Sequence, residues 1–351
     1  MPPTSGPDDV WQKSPETVKT FLDLRRDNEQ LCAEVEYILR KKLHSESIET
    51  SAIVSRAKTL NSFLEKLQRK QYLNPFEEIT DLAAARIVCL YRRDIAKVAE
   101  IIRAEFEVIE DVDKLDEMGV DQFGYEARHF LVRLGKGSSG ARYDSLKQLV
   151  CEIQVRTVVQ DAWAIIQHHL VYKRESQIPK QIQRKLNSLA GLFETVDDQF
   201  ESIRTERESY IAEVRETIGT PAAFLRNELN LDSFMEYLAV TFPKRPVEKN
   251  ARQASIALDG FRKAGLKTLG DLDILLKETA KSRKQLLDSV AEESWKVDGQ
   301  LPSSLESVFS LVISAENWKE LLPWGSENAD RIEQARQSIM KAAENRSGRG
   351  R

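Results

Sequence analysis

The sequence is poor in cysteine and histidine, and this scarcity excludes some kinds of site. It has three cysteines, Cys32, Cys89 and Cys151, which are far apart, sit among apolar residues and form no Cys-x-x-Cys pair. Such spacing is not that of a zinc site; it predicts buried thiols in a reducing cytoplasm. Only four histidines occur, and none of them is followed by aspartate.

The sequence also lacks long apolar runs and a strong net charge. No run approaches the length of a membrane span, and the first residues, MPPTSGPDD, have neither the basic start nor the apolar core of a signal peptide. A net charge of -4 argues against a protein that coats nucleic acid. We therefore expect a cytoplasmic protein with no membrane partner, and its 351 residues predict about two domains.

The most informative segment is EIQVRT, which runs from Glu152 to Thr157. As a strand, it directs Glu152, Gln154 and Arg156 to one face. The opposite face is apolar and suits a core, with Leu149, Cys151, Ile153 and Val155. A carboxylate beside a cation suits a metal-bound, phosphate-rich ligand. The same alternation, however, is typical of any half-exposed edge strand, so this segment alone leaves both interpretations open.

Four further segments change the balance between these interpretations. They are SRAK (55–58), ITDLAAARIVCLY (79–91), FGYEARHFLVRL (123–134) and TVVQDAWAIIQHHLVYK (157–173). Together with EIQVRT, and in this order, they resemble the RelA/SpoT nucleotidyltransferase family, the (p)ppGpp synthetases. The later LNSLAGLFETVDDQFESIR (186–204) is similar to the helix that follows the catalytic core in synthetase-only members. The resemblance covers about residues 15–210, and the His-Asp hydrolase of the long members is absent.

Strands that alternate with helices indicate an α/β fold. The resemblance implies a nucleotidyltransferase-like mixed β-sheet flanked by helices, followed by a mostly helical C-terminal region. We predict four parts: a disordered N-terminus (1–14), the catalytic domain (15–215), a helical accessory region (216–343) and a disordered basic tail (344–351). Periodicity predicts helices at 18–42, 60–70, 95–105, 159–173 and 179–215, strands at 51–58, 84–91, 125–134 and 148–156, and a polar loop at 110–122.

The resemblance assigns the catalytic centre to Asp81, Glu152 and His129. Asp81 and Glu152 would hold Mg²⁺, and two carboxylates from neighbouring strands suit that ion. Glu152 would also help to deprotonate the acceptor hydroxyl, and His129 would lie near the transferred phosphates. Taken without the resemblance, Asp81 is equally well a carboxylate at the start of a strand, and His129 a structural side chain.

The resemblance also divides the nucleotide contacts into two halves. In the donor half, Arg56 and Arg86 would sandwich the adenine of ATP, because a guanidinium plane stacks well on a purine. Lys58 and Lys66 would contact the phosphates as point charges; without the resemblance, they belong to a solvated basic face. The acceptor half is assigned to Tyr125, which would stack on guanine, and to Gln154 and Asp161, of which Asp161 would read the guanine edge.

Four departures from the family pattern bear on the acceptor and on efficiency. Ala84 replaces a glycine, Glu126 an arginine, Ala127 a serine and Gln167 a glutamate. Alternation would place Glu126 opposite Tyr125 and Ala127 on the ligand face. None of the four removes a predicted metal ligand.

These observations lead to three hypotheses about function. The first is a stringent-response alarmone synthetase that transfers the β,γ-pyrophosphate of ATP to the 3'-hydroxyl of GDP or GTP. The second is a toxin-type relative that pyrophosphorylates the 3'-end of tRNA, since the departures Glu126 and Ala127 lie in the acceptor half. The third is a catalytically silent nucleotide-binding module whose helical part binds a partner. The sequence leaves open whether the protein forms a homo-oligomer.

Overall fold

The computed structural model describes residues 14–70, 72–113, 127–170, 179–241 and 265–278, and also 254–255, 258–259, 261–262 and 337. The chain divides into two compact units, Met1–Arg204 and Thr205–Arg351. This division falls inside a long helix, Lys180–Glu216. The boundary that we predict near residue 215, at the end of that helix, stays a prediction.

The first unit contains a five-stranded mixed β-sheet. Its strands are β1 (Thr50–Ala57), β2 (Ala83–Cys89), β3 (Phe106–Asp113), β4 (Arg128–Leu134) and β5 (Cys151–Thr157). The spatial order is β1-β2-β5-β4-β3. Strands β2 and β5 run parallel, whereas the other three pairs are antiparallel. Helices flank this sheet, so the predicted α/β fold class is confirmed.

The helices of this unit are α1 (Pro15–Ser45), α2 (Leu60–Arg69), α3 (Pro75–Glu78), α4 (Arg92–Glu105), α5 (Val158–Leu170) and the larger part of α6 (Lys180–Glu216). Several begin where local chemistry favours a start. Pro15 opens α1, where a missing N–H costs nothing. The Thr59 hydroxyl accepts a hydrogen bond from the Ser62 N–H at 3.3 Å and caps α2.

Helices α1 and α4 bury one face of the sheet. Val35 and Leu39 of α1 lie in one apolar cluster with Ile102 of α4 and with Ile87 and Ile153 of the central strands. Burial of each such side chain stabilises the fold by about 1.5–3 kcal/mol. The three cysteines are also buried, as predicted. Because the apolar side chains of these strands enter this core, their polar side chains are directed to the opposite face.

One predicted element is wrong. The acidic composition from Glu110 onward predicts a loop, but β3 continues to Asp113. The charge that suggests a loop is paired: the Asp111 carboxylate accepts hydrogen bonds from Arg103 at 2.5 Å and from Arg128 at 2.8 Å. The short helix α3 (Pro75–Glu78) is also missing from the prediction. The other described strands and helices of this unit agree with it, with ends that differ by up to three residues.

The second unit is helical in the part that the structure describes. It contains α7 (Pro221–Phe224), α8 (Leu231–Thr241) and α9 (Leu269–Glu278). The Asp271 carboxylate caps α9 by accepting hydrogen bonds from the Lys267 and Thr268 N–H groups, each at 2.9 Å. These backbone donors are therefore satisfied by the chain itself. Within the described ranges, every helix is too short or too polar to cross a membrane.

Candidate active site

The sheet face opposite the core carries two rows of polar side chains. In the first row, strand register places Arg56 beside Ala84 and Ala84 beside Glu152. In the second row, Arg86 lies beside Gln154 and Gln154 beside His129. Directly opposed residues on neighbouring strands share a face. The fold therefore brings predicted donor, acceptor and catalytic residues together across β1, β2, β5 and β4.

Asp81 lies in the turn before β2 and binds both predicted phosphate-contacting lysines. Lys58 Nζ is 2.5 Å from Asp81 Oδ2, and Lys66 Nζ is 2.9 Å from Oδ1. The Lys58 N–H also donates to the Leu82 carbonyl at 2.8 Å, which extends the pairing of β1 with β2 towards this turn. Burial works to raise the pKa of Asp81, but the lysine hydrogen bonds and charges outweigh it, so the pKa is lowered.

Glu152 projects from β5 and receives two hydrogen bonds at one oxygen. His129 Nδ1 is 2.8 Å from Glu152 Oε1, and Gln154 Nε2 donates to the same atom at 3.1 Å. Burial works to raise the pKa of Glu152, but these two donors outweigh it and lower the pKa. An ionised carboxylate only accepts, so His129 Nδ1 carries the proton of this contact. The charge of Asp81 also acts to raise the pKa of Glu152.

This carboxylate pair fits Mg²⁺ by its donor chemistry. Mg²⁺ prefers oxygen ligands, and it is commonly held by one or two carboxylates with waters and substrate phosphates in the other positions. In the part of the chain that the structure describes, no cluster of three or more His, Cys, Asp or Glu side chains has the arrangement of a metal site.

Arg156 connects the two halves of the predicted site, although the resemblance assigns it no particular role. Its side chain is only 8% exposed and lies 3.6 Å from Asp161 Oδ1, and it also donates to Gln154 Oε1. Asp161, on α5, accepts a hydrogen bond from Arg86 at 3.0 Å. A predicted adenine-stacking side chain, Arg86, is thus paired with the predicted guanine-reading carboxylate. The only feature of the sequence that points to Arg156 is its place as the third polar residue of EIQVRT. By alternation, this residue lies on the polar face of the strand.

The end of β5 is held by α5 and α6. The Thr157 hydroxyl donates to Asp197 Oδ2 at 2.6 Å, and the Thr157 N–H donates to Gln160 Oε1 at 2.7 Å. Burial, together with the neighbouring charges of Asp198 and Glu201, raises the pKa of Asp197 to about 7. The strand that carries Glu152 is therefore anchored by a carboxyl that titrates near neutral pH.

This anchor predicts a pH-dependent stability. The usual pKa of the Asp197 carboxyl is 3.8, and the folded value is about 7. Between these values the folded chain holds a proton that the unfolded chain has lost, so stability from this group falls as pH rises. We expect Asp197→Asn to be more stable than the parent at pH 8, by on the order of a few kcal/mol in the free energy of unfolding measured with denaturant, and to match it near pH 4. Asp144→Asn, on an exposed loop, is the control; equal pH slopes for parent and Asp197→Asn would contradict the assignment.

The remaining positions of the family pattern either lie outside the described residues or are buried or half-buried. Tyr125 and Glu126 are outside the described residues. Ala127 is buried, and Gln167 is half-buried on α5. Trp163 packs against Phe193 of α6, with ring centroids 5.6 Å apart. This contact joins α5, which carries Asp161, to α6.

The family model and the sequence relatives point to one family. Residues 55–177 match the family model described as "Region found in RelA / SpoT proteins". Over 157 residues the chain is 31% identical to GTP pyrophosphokinase YjbM of Bacillus subtilis (strain 168), covering 44% of this chain and 72% of that relative. GTP pyrophosphokinase YwaC of the same organism is 26% identical over 158 residues, covering 43% and 72%. The crystal structure of small alarmone synthetase 1 from Bacillus subtilis is similar over 54% of this chain and 99% of that one, with 25% identity and a TM-score of 0.46.

Proposed function

The chain belongs to the RelA/SpoT family, and from this premise we propose that it is a synthetase-only alarmone enzyme of the cytoplasm. It transfers the β,γ-pyrophosphate of ATP to the 3'-hydroxyl of GDP or GTP, with AMP and (p)ppGpp as products. The observation that carries the proposal is the arrangement of Asp81, Glu152, Lys58 and Lys66. Two interacting carboxylates beside two ammonium groups are the parts that pyrophosphate transfer needs, because the transferred group is highly charged.

In the proposed reaction, the donor half binds ATP through charge and stacking. Arg56 and Arg86 contact the adenine, while Lys58 and Lys66 bind the polyphosphate. Asp81 and Glu152 would hold Mg²⁺, which would supply positive charge next to the phosphates. This division of roles is supported by the strand register, which sets Arg56 in the same row as Glu152 and Arg86 in the next row.

The acceptor half positions the attacking 3'-hydroxyl. Gln154 and Asp161 contact the guanine nucleotide, and Tyr125 stacks on its base. Glu152 accepts the hydroxyl proton, and its lowered pKa keeps it ionised at neutral pH. His129, hydrogen-bonded to Glu152 through Nδ1, directs its other ring nitrogen away from that contact and stabilises charge on the transferred group. The hydroxyl oxygen then bonds to the β-phosphorus, and AMP leaves.

A direct test uses ATP labelled in its γ-phosphate, the full chain and Mg²⁺, with GDP, GTP and tRNA as separate acceptors. Thin-layer chromatography should show label in a guanosine product with GDP or GTP. Label in tRNA alone would replace the proposal by the toxin-type activity, in which the departures Glu126 and Ala127 change the acceptor half. ATP binding without transfer to any acceptor would favour the silent module. The Asp81→Asn variant is the matched control for contaminating kinases.

A further inference from the structure

Both oxygens of the Asp81 carboxylate are occupied by ammonium groups of the chain itself. Lys58 holds Oδ2 at 2.5 Å and Lys66 holds Oδ1 at 2.9 Å. These are not solvated surface pairs, because the side chains of Lys58, Lys66 and Asp81 are 12%, 25% and 23% exposed. An ion that is to bind Asp81 must therefore either displace a lysine or share a carboxylate oxygen with a neighbouring ammonium group of like charge.

Glu152 is held differently. Both of its described hydrogen bonds, from His129 and Gln154, end at Oε1. Among the described residues, no hydrogen bond to Oε2 is found, so this oxygen is available to a metal without displacement of a cation. Of the two carboxylates, Asp81 is thus the one at which metal entry is opposed by the chain.

The two lysines oppose a bare dication in two ways. They occupy the oxygens that the metal needs, and they place two positive charges beside its position. A polyphosphate removes both obstacles, because its oxygens are strong acceptors for lysine ammonium groups. When the phosphates bind Lys58 and Lys66, they draw these side chains from Asp81 and add negative charge to the site.

We propose that Lys58 and Lys66 make Asp81 selective for a metal ion that enters together with a polyphosphate. The two lysines exclude free Mg²⁺ from the empty enzyme and release Asp81 when ATP is bound. By linkage, metal and polyphosphate then increase each other's affinity by the same factor. This inference rests on the proposed function only for the identity of the polyphosphate as ATP. The contacts of Lys58 and Lys66 with Asp81 are independent of that function.

The test measures binding of Mn²⁺, a paramagnetic substitute for Mg²⁺, to the full chain in the absence of nucleotide, by electron paramagnetic resonance. We expect the parent to bind Mn²⁺ weakly. Lys58→Met should bind Mn²⁺ at least about tenfold more tightly, because the change removes one positive charge that repels the ion. Lys66→Met, a change on helix α2 and not on a strand, should also bind Mn²⁺ more tightly than the parent. Lys147→Met, from an exposed pair with Asp144, should leave Mn²⁺ affinity unchanged.

Two additions locate the effect and separate it from the proposed function. Adding Asp81→Asn to Lys58→Met should abolish the gain in Mn²⁺ affinity, because the released carboxylate is then absent. Unchanged or weaker Mn²⁺ binding in both folded lysine variants, checked by circular dichroism, would overturn the proposal. A parent that lacks pyrophosphate transfer while the lysine variants still gain Mn²⁺ affinity would refute the function and leave the metal selectivity standing.

Discussion

Asp81→Asn and Glu152→Gln should each lower the turnover number for pyrophosphate transfer by about 100-fold or more, with the fold intact. Each change removes one negative charge from the carboxylate pair and keeps the size of the side chain. In Asp81→Asn, Lys58 and Lys66 also lose their shared anion, and in Glu152→Gln the hydroxyl loses its base. Turnover is measured with ATP and the preferred guanine nucleotide at saturating Mg²⁺.

Glu107→Gln is the matched control for these two variants. Glu107 lies on β3 of the same sheet, and its side chain is 60% exposed in a loose pair with Arg133. We expect this change to leave turnover within about twofold of the parent, because exposed pairs of this kind contribute little. Thermal unfolding of all three variants tests whether the fold is retained. If either site variant keeps near-parental turnover, Asp81 and Glu152 do not form the metal site.

The second large effect concerns Arg56 and Arg86, the two arginines of the donor half. The structure distinguishes them, because Arg86 contacts the predicted acceptor residue Asp161. Arg56→Ala should weaken binding of a non-hydrolysable ATP analogue by about 5- to 150-fold, the loss of roughly 1–3 kcal/mol for one stacked base. Arg86→Ala should weaken binding of the analogue to a similar extent and, in addition, weaken binding of GDP. The reason is that Arg86 holds Asp161 at 3.0 Å, and removing it leaves that carboxylate less well positioned.

Calorimetric titration of each variant with the ATP analogue and with GDP separates these outcomes. Arg25→Ala is the control, because Arg25 forms an exposed pair with Glu29 on α1. Tyr125→Ala, expected from the sequence alone, should weaken GDP binding and spare the ATP analogue. If all three variants, Arg56→Ala, Arg86→Ala and Tyr125→Ala, lost affinity for the ATP analogue and for GDP to the same extent, the result would point to misfolding. It would contradict the division of the site into two halves.

Much of the fold could be predicted because its signals are local. Apolar positions at helical spacing predict α1, and the alternation in EIQVRT predicts which side chains of β5 enter the core. The strand β3 could not be predicted, because its acidic residues suggest a loop. Only the folded structure supplies Arg103 and Arg128 to neutralise Asp111. A charge that is paired across the sheet has no local signature in the sequence.

The site could be predicted as a set of residues but not as a set of contacts. The resemblance identifies Asp81, Glu152 and the lysines, yet it does not show that Lys58 pairs with Asp81 across 23 residues of sequence. The pair of Arg86 with Asp161 spans 75 residues. Both depend on how the strands are arranged in the sheet, in which β2 lies between β1 and β5. Periodicity within a segment carries no information about that order, so the pairing of Arg86 with Asp161 appears only in the fold.

In the proposed reaction a pyrophosphate group, and not a single phosphate, leaves ATP, and every other role assigned to the site depends on this. The most direct measurement follows ATP labelled at the β-phosphorus during incubation with the full chain, Mg²⁺ and GDP. We predict that the label enters the guanosine product and that the AMP formed is unlabelled and equimolar with it. Label that remains in ADP while GDP gains only the γ-phosphate would show an ordinary kinase and contradict the proposed transfer.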